Sequence, residues 1–64
     1  MAEKFFVVRK INGGLCTTQK GSLVQPGWER CSGPYGTEKE ASDWITKNCD
    51  AAGICDKGKC DYGP

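Results

Sequence analysis

The sequence predicts a small α+β domain. It consists of an antiparallel sheet of two or three strands, one covering helix in the C-terminal half, and a cysteine-rich irregular tail. Three observations carry this reading. A β-branched and aromatic run, FFVVRK, lies at residues 5–10 and is followed by Asn12-Gly13-Gly14. A helix-capping signal, Thr37 with Glu40, precedes a stripe of apolar residues at helical spacing. Beyond it, NCDAAGICDKGKC holds three of the five cysteines and almost no apolar residues.

The first run favours a strand, because branched and aromatic side chains pack well on a pleated surface. Phe5 and Val7 point to one face and Phe6 and Val8 to the other, so both faces begin apolar and an interior strand, covered on both sides for at least half its length, is expected. Asn12, Gly13 and Gly14 tolerate positive φ and form a hairpin turn. LCTTQ, residues 15–19, is then the returning strand. Gly21, Pro26 and Gly27 break up the next segment, which reads as a long loop. A short third strand is expected around Trp28 to Cys31; pairing with the second, Gln19 opposite Trp28, sets Cys16 opposite Cys31, whereas a tight turn around Gly21 loses that pairing. Ser32 to Gly36 reads as a turn cluster.

Thr37 and Glu40 form a capping box, each side chain taking the other residue's backbone N–H. Glu38 and Glu40 also place negative charge at the positive end of the helix dipole. Ala41, Trp44, Ile45 and Asn48 or Cys49 recur at three- and four-residue spacing and define one buried face. The helix is expected from Glu38 to Asn48, with Trp44 as its anchor and Asp43 paired with Lys47 on the exposed side. Gly33-Pro34-Tyr35-Gly36-Thr37 followed by Glu40-Ala41 resembles the G-P-[FY]-x-[ST]-x-x-E-A entry to a helix in SPOR-type peptidoglycan-binding repeats. The likeness spans nine of 64 residues and encodes a turn and a capped helix, so no function is carried over from it.

Sixty-four residues make a single domain, residues 1–64, and a chain this short buries only about 60% of its unfolded surface. Such domains often need a staple, and five cysteines suit that need. Nine Lys and Arg against eight Asp and Glu argue for neither a nucleic-acid partner nor a membrane surface. With no histidine, Ser/His/Asp and Cys/His catalysis and mixed Cys/His zinc sites within the chain are excluded. The start, MAEKFFVV, lacks a secretory apolar core, so a cytoplasmic protein is expected, with a mature secreted domain as the alternative.

The cysteines contain no CxxC pair, which weighs against a zinc ribbon, a thioredoxin-like pair and a ferredoxin-type site. A helix of about eleven residues is roughly 16 Å long. The segment from Cys49 to Cys60 can extend up to about 36 Å, so the tail can return to the sheet. Cys16, Cys31, Cys55 and Cys60 are therefore candidate ligands for zinc or an iron–sulfur cluster. They are equally candidates, with Cys49, for two disulfides and one free thiol, or for thiols buried as small hydrophobes. Asp50, Asp56 and Asp61 lack the calcium-loop pattern and read as a solvated acidic face. Trp28 and Tyr35 are the candidate partner-binding aromatics.

The expected function is a non-enzymatic binding or accessory module acting on a larger protein partner and stabilised by its cysteines. The alternatives are a redox or electron-transfer subunit carrying an iron–sulfur cluster, zinc or a reactive thiol, and a secreted disulfide-stapled inhibitor or effector.

Overall fold

The computed structural model describes residues 3–62. Three strands, β1 (Phe5–Lys10), β2 (Cys16–Lys20) and β3 (Trp28–Tyr35), precede helix α1 (Glu38–Asn48), and a single 3-10 turn at Lys57–Lys59 lies in the tail. The sheet is antiparallel with order β2-β1-β3, so the most apolar strand is the central one. An irregular, cysteine-containing tail follows the helix.

The β1–β2 hairpin turns as its residues dictate. Gly13 and Gly14 adopt φ of 109° and 85°, and the turn closes through Lys10 N–H to Leu15 O (2.7 Å) and Gly14 N–H to Lys10 O (2.9 Å). The expected pairing of β2 with β3 does not occur. Both strands pair with β1, and Cys16 lies opposite Arg9, not Cys31. The physical reason lies in β1 itself. Phe6, Val7 and Val8 are all buried, and a central position satisfies the backbone of this strand on both sides. The loop of residues 21–27 is long enough to carry the chain across to the far edge.

β3 also runs further than expected, through the segment read as a turn cluster. Its pairing with β1 shifts register between Phe5 and Val7 and again between Val7 and Val8. A bulge lets neighbouring residues of one strand face the same side. Here Val7 lies opposite Ser32 and Val8 opposite Arg30, so Cys31 is the extra residue, and Cys31 and Ser32 are both buried, 0% and 1% exposed. Gly33, at φ 129°, permits the close approach: a Cβ there would stand 2.8 Å from Phe6 Cδ2.

Helix α1 has the predicted bounds and the predicted cap. Thr37 Oγ1 accepts from Glu40 N–H (3.2 Å), and Glu40 Oε1 accepts from Thr37 N–H (3.1 Å). On its exposed side the ion pair is Lys39–Asp43 at 3.6 Å, not Asp43–Lys47. The helix packs over the sheet around Val7, Cys16, Cys31, Ala41 and Cys55, while Phe5, Tyr35, Trp44, Ile45, Cys49 and Cys60 close the rim. Full burial of Val7 contributes about 1.5–3 kcal/mol. Three of the five buried residues between helix and sheet are cysteines, so this core is small in apolar area and leans on what its sulfurs do.

Candidate metal centre

Three separate elements deliver thiols to one place. Cys16 opens β2, on the strand face that also carries Thr18, whose hydroxyl donates to Glu38 Oε2 of the helix (3.3 Å). Cys49 is the C-cap of α1, one turn beyond Ile45 on the buried stripe, and its N–H donates to Ile45 O (2.9 Å). Cys55 arrives through the loop that follows. There Asp50 Oδ1 accepts from the N–H groups of Ala52 and Ile54, both at 2.9 Å, and Gly53 N–H donates to Asp50 O (2.9 Å).

The same loop is then stitched to the hairpin. Cys16 N–H donates to Gly53 O (2.9 Å), Cys55 N–H donates to Gly14 O (3.0 Å), and Leu15 bridges Ile54. Arg9 fixes the end of the loop, donating from Nε to Cys55 O (2.6 Å) and from Nη1 to Glu29 Oε2 (2.8 Å). Gly14 is needed for this fit: at φ +85° a Cβ would lie 3.1 Å from Cys55 O and 3.3 Å from Arg9 Nη2.

As a result the sulfurs of Cys16, Cys49 and Cys55 all lie within 4.8 Å of one another. Cys16 and Cys55 are buried, and Cys49 is half-buried. Cys55 Sγ donates to Asn48 O (3.4 Å) and Cys16 Sγ to Gly14 O (3.8 Å). Burial pushes the Cys16 thiol up, partly opposed by a hydrogen bond with Cys49. Burial also pushes the Cys49 thiol up strongly, reinforced by its hydrogen bonds with Cys55 and Cys16. Cys49 further sits at the negative end of the helix dipole, the opposite of the helix N-terminus where reactive thiolates are found. The trio is thus poorly built as a thiolate nucleophile. Three converging sulfurs do match the first coordination shell of a soft ion. Zinc–sulfur bonds of about 2.3 Å in a tetrahedron put sulfurs about 3.8 Å apart, a contraction of about 1 Å from the widest spacing allowed here.

The structure divides the sequence-derived candidates differently from a Cys16, Cys31, Cys55, Cys60 set. Cys31 is bonded to Cys60, with Cα atoms 4.5 Å apart, while Cys16 and Cys55 join Cys49. The bond brings the tail across the outer edge of β3, where Cys31 O accepts from Asp61 N–H (2.9 Å) and Tyr62 N–H (3.0 Å). Tyr62 then packs edge-on against Phe6, at 6.1 Å between ring centres, and accepts a hydrogen bond from Arg30 Nη1 (3.0 Å).

Trp28 and Tyr35 are not one patch. They stand at opposite ends of β3, beside Lys10 and Phe5 of β1, which are about 17 Å apart along that strand. Trp28 is half-buried opposite Lys10. The Tyr35 hydroxyl is hydrogen-bonded to Ser32 Oγ, and its ring lines a shallow cavity with Trp44, Glu40, Asp43 and Lys47. The residues that sequence reasoning missed are Asp50 and Arg9. Asp50-x-x-Gly53 is a turn signature that marks the loop as ordered, whereas nothing local marks Arg9 as its clamp.

No family model, no curated protein and no solved structure matches this chain.

Proposed function

We propose that this protein is a small non-enzymatic metal–thiolate module, in which Cys16, Cys49 and Cys55 hold one soft closed-shell ion such as zinc. The observation that carries the reading is the convergence of three sulfurs within 4.8 Å, supplied by a strand, a helix cap and a hydrogen-bonded loop. Cys31 and Cys60 are oxidised to a disulfide in the same fold. Under conditions that sustain that bond, three touching thiols would themselves pair, leaving one over, unless an ion holds them. The ion supports folding directly, because residues 50–55 have too little apolar surface to order themselves. A larger protein partner is the target we assign to the module.

Mass spectrometry of the natively purified protein, without reductant, tests the reading. The expected result is one metal increment under native conditions. After denaturation with chelator, one disulfide and three alkylatable thiols should remain. A second disulfide with no metal would overturn it.

A further inference from the structure

We infer that the ion at Cys16, Cys49 and Cys55 has a fourth position, open beside Cys49, that takes a neutral imidazole nitrogen from another molecule. The inference rests on the metal–thiolate reading and extends it to the ligand class.

The argument begins with a count of donors. Zinc in a structural site binds four ligands. Among the described residues, no carboxylate joins the three sulfurs. The chain has no histidine, and its five cysteines are used up, three in the trio and two in the Cys31–Cys60 bond. A second copy of the chain has no histidine and no unspent cysteine either, and offers only carboxylates, which carry negative charge. The fourth donor is therefore water or a group from outside these 64 residues.

Geometry gives it a path. Cys49 is the one half-exposed member of the trio. It lines an open cavity of about 220 Å³ together with Ile45, Thr46, Asp50, Ala51 and Gly53. That volume admits a five-membered ring.

Charge selects the donor. Three thiolates on a divalent ion leave one net negative charge. Asp50 adds a carboxylate at the cavity wall, its Oδ1 held by two backbone N–H groups. Another thiolate would bring a further negative charge against both. An imidazole brings none, and three cysteines with one histidine is a common structural zinc set.

Apolar residues flank the site. Leu15 and Ile54, bridged to each other, are 42% and 38% exposed, and Leu15 Cδ1 lies 3.6 Å from where a Gly53 side chain would begin. Exposed apolar surface beside a coordination position suits a histidine carried on a protein better than a freely hydrated small molecule.

Cobalt(II) loaded into the intact chain, with its disulfide in place, is the test, because its visible bands respond to donor type and number. Titration with imidazole should change the d–d bands saturably. Half-saturation should come at a concentration at least tenfold below that of 2-mercaptoethanol, titrated into protein whose Cys31–Cys60 bond is shown by mass to be intact afterwards. Asp50→Asn keeps the oxygen that organises the loop but removes the charge, and should narrow this preference several-fold. A Leu-His-Leu peptide that half-saturates below free imidazole assigns the donor to a protein side chain. Equal values assign it to a small molecule, and both outcomes uphold the donor class. Cobalt bound by thiolates but indifferent to imidazole, or preferring the thiol, overturns the inference and leaves the metal site standing. Absence of any sulfur-to-cobalt charge-transfer band overturns both.

Discussion

Removal of the Cys31–Cys60 crosslink by Cys60→Ala should cost this domain a large share of its stability. The bond closes a loop with a sequence separation of 29 residues. The loop-closure entropy returned to the unfolded chain is then worth about 3.6 kcal/mol. A 64-residue domain has only about 3–10 kcal/mol to lose. The choice of residue matters: Cys60 lies on the rim, so its truncation leaves the fully buried Cys31 sulfur in the core and opens no cavity beside Val7. Urea unfolding of both proteins, with chelator present so that no metal contributes, gives the difference directly. A loss of about 2–4 kcal/mol is expected, with a fall in Tm of about 15–30 °C for the full entropic value. The amides of Asp61 and Tyr62, which donate to Cys31 O, should lose their hydrogen-exchange protection at the same time. A change below about 1 kcal/mol with those amides still protected would refute the argument, since the tail would then be held by Tyr62 alone.

Three further outcomes follow from particular contacts. Thr37→Ala removes the acceptor for Glu40 N–H and should lower stability by about 1 kcal/mol in urea unfolding, while metal affinity stays unchanged. Gly33→Ala places a methyl 2.8 Å from Phe6 Cδ2 at a φ of +129°, so a loss of about 2 kcal/mol or more is expected, and wild-type stability would disprove the close approach. Zinc affinity, followed by competition with a chromophoric chelator, should fall by about a thousandfold per pH unit between about pH 8 and pH 6, because all three thiols must release a proton when the ion binds, and burial pushes those of Cys16 and Cys49 up. For the metal-free, reduced protein the sign is opposite. The raised thiols favour the folded state while neutral, and this stabilisation is lost as pH climbs above the unfolded value of 9.0.

The parts of the fold legible in the sequence are those set by local chemistry. The capping box between Thr37 and Glu40 and the apolar stripe from Ala41 to Cys49 define α1 to the residue, and Gly13-Gly14 defines the hairpin. Strand order was not legible in this way. Whether β3 joins the outer edge of β2 or that of β1 depends on total burial: FFVVRK reads as an interior strand, and β3 beside β2 would leave it at an edge. The extent of β3 was hidden for another reason: Gly33 and Pro34 are turn residues by propensity, and only the bulge against Phe6 makes them compatible with a strand. Cysteine grouping inherits the strand order. With β3 placed beside β2, Cys16 and Cys31 would face each other; with β1 between them, each is left to find a partner in the tail.

That placement explains why the tail needs two separate anchors. β2 and β3 are the two edges of the sheet, and the segment after the helix is tied to both. Near its start, Gly53, Ile54 and Cys55 pair with the Gly14–Cys16 stretch leading into β2, and Arg9 of the central strand grips Cys55 O. Near its end, Cys60 to Tyr62 are bound to Cys31 of β3. Between the anchors the chain offers only Asp56, Lys57, Gly58 and Lys59, none of which is buried. A polar span of this kind transmits little, so each anchor must hold by its own chemistry. The covalent bond does so at β3. At β2 the backbone hydrogen bonds surround three thiols whose mutual packing is weak, and an ion drawn to all three would supply there what the disulfide supplies at the other edge.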